Sequence, residues 1–373
     1  MKILYVITGL GVGGAEAITI DIANQMSDWG HDVTLLYLTG ENAQIAHINP
    51  HIIVLGLGMS KRIDSLIKGV YRAVRIIKSL KPDIIHSHMV HANIFCRILR
   101  VFCKIPFLIC TEHSMNIEGR MRMALYYVTD FLSDVNTNVS EEATRYFIQE
   151  KAFSPLKSIA VYNGVDLSRF VRNEDAGQNT RERYSIKDTD YLFINVGRLT
   201  QAKDQFNLIT AFTYLREKYP NIKLIIVGDG KLRAALEKQI CEKHIEDNVL
   251  LVGEQRNVVD YYSAANCFVL SSAWEGFGIV LVEAMACELP VIATNAGGCA
   301  EVVSNPNYVV PPKDSQALYL KMKQIYEMSQ DERRILGLKN RELAYRFDIN
   351  QVCRQWLKIY EGNNGCCHKN KNV

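Results

Sequence analysis

A chain of 373 residues exceeds one ordinary domain, and two domains of about 170 residues each are the expected division. Its 43 Lys and Arg against 40 Asp and Glu leave a net charge of +3, a balance that gives no global footprint for nucleic acid. The ten cysteines include no C-x-x-C pair and, apart from Cys366-Cys367, stand singly, several in apolar segments (Cys96, Cys110, Cys267), which reads as free thiols in a reducing compartment and argues against a disulfide framework.

The opening run from Met1 to Ile7 is too short for a signal peptide, and no stretch reaches the roughly 18 apolar residues of a membrane span. A cytoplasmic protein is expected. Apolar runs then alternate with helical patterns: Ile3 to Ile7, Ala15 to Trp29, Val33 to Leu38, Ser65 to Leu80, and Ile84 to His86. The rhythm continues through Phe107 to Thr111, a helix around Met121 to Leu132, Val135 to Asn138, a helix from Ser140, and Ile159 to Tyr162. This is a βαβ series and predicts a parallel sheet. Asn163-Gly164-Val165-Asp166 is a turn, and the polar stretch from Ser168 to about Asp190 reads as the join between domains.

A second series follows: Leu192 to Val196, a helix from Gln205, Lys223 to Val227, a helix from Lys231, Val249 to Val252, a helix near Val258 to Ala265, and Cys267 to Leu270. The expected domains are residues 1–168 and 169–350. Residues 351–373 form a C-terminal helix, with a return to the first domain left open, and a polar tail from Gly362. Two doubly wound α/β domains place ligands at the carboxyl ends of their strands.

The first strand ends in Gly9-Leu10-Gly11-Val12-Gly13-Gly14-Ala15-Glu16, a literal G-x-G-x-x-G. A nicotinamide site also needs an acid closing the second strand, and that strand ends Tyr37-Leu38-Thr39-Gly40, with Glu41 too far beyond. Two readings stay open: a loop that lets a substrate approach the backbone, or a tight strand-to-helix turn. His86 and His88 share a strand face, but no third ligand has matching spacing, so they line or support the ligand cleft and hold no metal.

Between Lys61 and Lys81, seven Lys and Arg interleave with apolar residues while Asp64 is the one acid, a basic amphipathic helix suited to an anionic membrane surface. Its apolar face is expected to lie in the core. Arg198 follows the first strand of the second series and Lys203 stands five residues on, a fork and a point charge for a diphosphate.

The segment Glu275-Gly276-Phe277-Gly278-Ile279-Val280-Leu281-Val282-Glu283 follows a buried strand that ends in Ser271-Ser272. Gly276 and Gly278 would let the backbone turn, a helix would begin near Gly278, and its first amides would form an anion site. Ile279, Leu281, Val282, Met285 and Ala286 would face inward. Glu275 before the helix and Glu283 within it would then reach opposite ends of a ligand about 10 Å long, as acceptors for sugar hydroxyls.

With Gly11 to Glu16, Asn163-Gly164-Val165-Asp166, Gly197-Arg198 with Lys203, Val227-Gly228-Asp229-Gly230, the Glu275 to Glu283 motif, and Ala296-Gly297-Gly298 with Glu301 in this order, the chain resembles glycosyltransferase family 4, in particular its bacterial surface-polysaccharide members. The resemblance spans nearly the whole sequence. It implies the GT-B fold, two doubly wound Rossmann-like domains facing across a cleft, and retaining transfer of a hexose or N-acetylhexosamine from a nucleotide diphosphate sugar, a uridine one, to a polyprenyl-diphosphate-linked glycan.

In such enzymes the residue matching Glu275 contacts the transferred sugar, that matching Glu283 the ribose, and those matching Arg198 and Lys203 the diphosphate, together with the amides of Phe277, Gly278, Ile279 and Val280. Gly13-Gly14 matches the loop near the donor phosphates and acceptor, and His113 the histidine that contacts the donor sugar. The resemblance implies no metal and no cofactor, and Asp188-Thr189-Asp190, which mimics the metal-binding D-x-D of the other large glycosyltransferase fold, is set aside. A nucleotide-sugar epimerase of similar fold and a sugar-nucleotide-binding protein are the rival readings.

Overall fold

The computed structural model describes all residues except 12, 41–44, 61, 116–118 and 367–373, and for 120 and 363–366 the backbone alone. The chain forms two compact units: Met1–Val165 together with the segment from Phe347 onward, and Asp166–Arg346.

Unit 1 carries seven parallel strands, β1 (Lys2–Ile7), β2 (Asp32–Tyr37), β3 (Ile53–Gly56), β4 (Ile84–His88), β5 (Leu108–Glu112), β6 (Val135–Asn138) and β7 (Ser158–Ala160), in the order β3-β2-β1-β4-β5-β6-β7. Unit 2 carries six, β8 (Tyr191–Val196), β9 (Ile222–Val227), β10 (Val249–Gly253), β11 (Cys267–Leu270), β12 (Val291–Thr294) and β13 (Val309–Val310), in the order β10-β9-β8-β11-β12-β13. Both sheets are the expected doubly wound plan. Central strands such as β1 and β8 are buried along nearly their whole length, which is why they read as unbroken apolar runs. Chain order reverses between β1 and β4 in one sheet and between β8 and β11 in the other, and ligand crevices of such sheets open at these points.

The polar stretch read as a join is instead a folded part of unit 2. Asn173 caps a helix, Glu174–Arg183, by accepting from the Ala176 amide at 3.0 Å. Arg181 is buried and donates to the carbonyls of Ala264 at 2.8 Å, Lys187 at 2.8 Å and Asp190 at 2.6 Å. Composition suggested a linker here because a buried arginine satisfied by main-chain carbonyls looks like any other polar residue in sequence.

The C-terminal helix, Ile349–Cys366, runs past Gly362, where the polar tail was expected to begin, and packs in unit 1 against the helix Gly14–Asp28. Residues 367–373 of the polar tail lie outside the described residues. A short bridge leads into it: Val165 donates to the Phe347 carbonyl at 2.8 Å and Ile349 to the Val165 carbonyl at 2.9 Å. Trp356 is buried with its ring 4.5 Å from that of His86, and the Tyr360 hydroxyl meets His86 Nδ1 at 2.7 Å and the Tyr5 hydroxyl at 3.1 Å. Trp356→Ala should therefore cost about 3–5 kcal/mol, read as a lower urea midpoint for loss of far-UV dichroism; an unchanged midpoint would show that this helix adds nothing to unit 1.

Candidate active site

In unit 2 the two chain segments that leave β8 and β11 are fastened to each other. The Ala273 amide donates to the Ala202 carbonyl at 2.8 Å, and Ser271 Oγ to the Lys203 carbonyl at 2.9 Å. Thr294 at the end of β12 donates to the Ser272 carbonyl at 2.6 Å, so a third strand end supports the loop.

Within this frame Lys203 Nζ donates to Glu275 Oε1, an ion pair whose side chains are 21% and 12% exposed, and Ser272 Oγ donates to the same oxygen at 3.0 Å. The sheltered pair is stronger than a surface one because water screens it less and Ser272 satisfies a further lone pair.

Backbone geometry holds Glu275 as well. Gly297 adopts a left-handed φ of +55°, and a Cβ there would stand 2.1 Å from the Glu275 carbonyl oxygen, so any other residue would push the loop away. Gly278 (φ +86°) caps the helix Ile279–Ala286. Gly276, expected to share that turn, is outside the left-handed region. Leu281, Val282, Met285 and Ala286 are buried as expected, whereas Ile279 is half-exposed with Val280 at the start of the helix. The first-turn amides of a helix have no intrahelical acceptor and carry the positive end of its dipole, so Ile279 and Val280 bring donors beside the Lys203–Glu275 pair.

Glu283 lies in the same helix and accepts from the Tyr262 hydroxyl at 2.8 Å. Burial and the adjacent Glu283 push the Tyr262 phenol well up, which keeps it a neutral donor. Arg198 is exposed on the segment after β8, and its carbonyl accepts from Gln205 Nε2 at 3.2 Å. Arg198, Lys203, Glu275, Phe277 to Val280 and Glu283 thus belong to one end of one sheet. Phe277 is buried and offers its backbone alone. Sequence reasoning missed Tyr262, Thr294 and the support given by Gly297; Ser272 was visible only as part of the strand's Ser271-Ser272 ending.

In unit 1, Gly13 and Gly14 follow β1, and His113 follows β5. Gly13 is extended (φ −162°), and a Cβ on it would come within 2.3 Å of the Glu16 carboxylate, so the glycine leaves room for Glu16 over the helix start. His113 Nε2 meets His88 Nδ1 at 2.9 Å, with rings stacked 5.2 Å apart. His86 has a different job from its strand neighbour: its nitrogens meet the Tyr360 and Thr111 hydroxyls, which makes it a packing residue beneath the C-terminal helix.

Burial lowers all three imidazoles, that of His113 to about 4, so each is neutral at pH 7. His88 Nε2 and His113 Nδ1 are sealed from solvent and have no partner among the described residues. Two neutral rings that share one hydrogen bond always leave one N–H and one lone pair unspent, whichever tautomer each adopts. Nearby Glu112 is pushed the other way, up to about 7, by burial, and accepts from the Tyr126 hydroxyl at 2.8 Å.

The family model "Glycosyltransferase Family 4" matches residues 12–169, and "Glycosyl transferases group 1" matches residues 177–342. An Escherichia coli UDP-Gal:alpha-D-GlcNAc-diphosphoundecaprenol alpha-1,3-galactosyltransferase is 28% identical, aligned over 65% of this chain and 66% of its own. The Campylobacter jejuni N-acetylgalactosamine-N,N'-diacetylbacillosaminyl-diphospho-undecaprenol 4-alpha-N-acetylgalactosaminyltransferase is 25% identical over 97% of this chain and 100% of its own. Among solved structures, Anabaena HepE in complex with UDP superposes with a TM-score of 0.86 at 23% identity, over 97% of this chain and 100% of that one, which establishes a shared fold.

The depressed imidazoles give a stability that is complete above about pH 6.5, the ordinary histidine value, and is lost as pH falls toward their folded values; Glu112 acts oppositely, losing its contribution as pH rises through about 7. With three groups against one, the urea midpoint of unit 1 should fall between about pH 7 and pH 5, and His88→Asn should flatten that fall. Identical pH slopes for the variant and the parent would disprove the assignment.

Proposed function

The chain belongs to the glycosyltransferases, a family 4 domain followed by a group 1 domain, and from that premise we propose that it is a retaining enzyme. The donor is a uridine diphosphate hexose or N-acetylhexosamine, and the acceptor is a hydroxyl of a polyprenyl-diphosphate-linked glycan in bacterial surface-polysaccharide synthesis. Two relatives are named for diphosphoundecaprenol-linked acceptors, and a structural neighbour was solved with UDP, which supports this choice of substrates.

The observation that carries the reading is the Lys203–Glu275 pair beside the start of the helix Ile279–Ala286, with Glu283 further along that helix. Arg198, Lys203 and the Phe277 to Val280 amides hold the diphosphate. Glu283 accepts from the ribose hydroxyls. Glu275 and His113 contact the sugar being moved, and Gly13-Gly14 lies by the donor phosphates and acceptor.

The bond between the anomeric carbon and the diphosphate oxygen breaks, and the acceptor oxygen bonds to that carbon on the same face. The departing phosphate takes the acceptor proton. The protein positions the reactants and stabilises the leaving charge with cations and amides, with no need for a metal or cofactor. The work is done at the cytoplasmic face of the membrane, with the cations of the helix Ile63–Leu80 toward anionic lipid.

The test is release of UDP from a panel of UDP-sugars in the presence of polyprenyl-diphosphate glycans. Glu275→Ala should cut turnover roughly 100-fold while UDP binding, measured by calorimetry, holds. Glu283→Ala should weaken UDP binding roughly tenfold. Gly297→Ala should reproduce the Glu275→Ala loss of turnover by displacing the Glu275 loop. Parental rates and affinity in all three would refute the assignments, donor conversion without acceptor would favour an epimerase, and UDP affinity without release a binding protein.

A further inference from the structure

Three helices of unit 1, Ile63–Leu80, Val90–Phe102 and Arg120–Thr129, lie side by side. The first two bury a face in the core through residues such as Ala73, Ile77, Phe95 and Leu99. Among the described side chains of the third, Tyr126 alone is buried. Met123 is partly buried and packs against the cluster around Tyr126, whereas Met121 is 77% exposed, Leu125 41% and Val128 56%, at spacings of four and three that put them on one helix face, and Phe131 in the next turn is 78% exposed.

The adjoining end of Val90–Phe102 adds Val101 at 67% and Phe102 at 58%. Arg97 fixes the two helices together by donating to the Tyr126 carbonyl at 3.0 Å and Thr129 Oγ1 at 3.2 Å, and Arg100 adds a bond to the Leu132 carbonyl at 3.0 Å. The apolar face is therefore held open to solvent by a rigid frame, a feature that marks an interaction surface.

Charge selects the occupant. Between Arg62 and Phe107 the chain holds nine Lys and Arg against two Asp, and with Arg97 buried beside Asp130 and Arg100 paired with Asp134 seven of these cations remain, although the whole protein carries only +3. One of those acids, Asp64, is spent on Arg62 at 3.0 Å. Lys68, Arg72, Arg75 and Lys78 are exposed on Ile63–Leu80, and so are Ile63, Leu66, Ile67 and Tyr71, so the apolar residues of that helix are not all in the core as expected; Lys61 lies outside the described residues. A second copy meeting this face across a two-fold axis would bring like charges together. An anionic bilayer complements both the cations and the apolar side chains.

We propose that this face docks on an anionic lipid bilayer by insertion: Met121, Leu125, Val128 and Phe131, with Val101 and Phe102, enter the boundary between headgroups and acyl chains, and the cations of Ile63–Leu80 meet the headgroups. The inference deepens the membrane placement given above. It adds that attachment is apolar as well as electrostatic, and it assigns that part to Arg120–Thr129.

Co-sedimentation of the full chain with vesicles of phosphatidylcholine and phosphatidylglycerol tests this at low salt and at about 0.5 M salt, where screening confines exposed charges to contact range. The parent should retain part of its binding at high salt. The triple variant Leu125→Ser, Val128→Ser, Phe131→Ser should lose that remainder at least about tenfold while keeping its far-UV dichroism, since single buried methylene groups are already worth several-fold. Glu substitutions at Arg72, Arg75 and Lys78 should remove only the salt-sensitive part.

Independently, Val128→Trp should show blue-shifted emission on vesicles and quenching by brominated lipid. Equal high-salt binding by the parent and the triple variant, or an emission spectrum of the Val128→Trp variant indifferent to lipid, would overturn the proposal, as would a dimer in light scattering that the triple variant dissolves. UDP release with a water-soluble short-chain acceptor should be the same for parent and triple variant, so a failure of glycosyl transfer and a failure of insertion are read in separate assays.

Discussion

The contact between Lys203 and Glu275 joins two segments that leave neighbouring strands wound in opposite directions, and the remaining features of the unit 2 site are arranged about it. Ser272 spends its hydroxyl on the same carboxylate, Ser271 holds the lysine's own carbonyl, and Gly297 closes under the glutamate's backbone. A cation already paired with a carboxylate has less positive potential to offer an incoming anion. In the proposed diphosphate site the balance comes from the exposed Arg198 and from the Ile279 and Val280 amides, and the amides are already fixed by the helix start. Hence the helix start and the ion pair make sense only together.

Unit 1 solves a different problem, that of keeping polar groups inside a packed layer. His86 spends both nitrogens on hydroxyls and becomes structural, while His88 and His113 spend one each on the other and keep the second nitrogen buried and unpartnered among the described residues. Burial is what separates these outcomes from ordinary histidine chemistry, since it removes the protonated form and leaves hydrogen-bond geometry as the only information the rings carry.

Much of the fold was legible because buried parallel strands write themselves as apolar runs, and β1, β8 and β11 were plain. The strands that escaped notice were the half-exposed β3, the two-residue β13, and β12, whose four residues sit in a segment rich in glycine and proline. The glutamates of the site were legible from their glycine-flanked spacing. Their partners were not, because Tyr262 is 21 residues from Glu283, and Lys203 is 72 from Glu275, and only the sheet's winding brings them together. The basic helix was recognised by composition, but periodicity alone could not show that its first turns overhang the core with Ile63 and Ile67 uncovered.

The helix Ile349–Cys366 lies in unit 1 although the whole of unit 2 is encoded before it. On the ribosome, therefore, the strands of unit 1 are complete long before the residues that seal His86 and Tyr5 have been made. Unit 2 is contiguous and can finish folding as it emerges, whereas the earlier unit must wait with His86 and Tyr5 uncovered until Trp356 and Tyr360 have been made. A chain interrupted shortly before Trp356 would thus damage the part of the molecule furthest from the break in sequence.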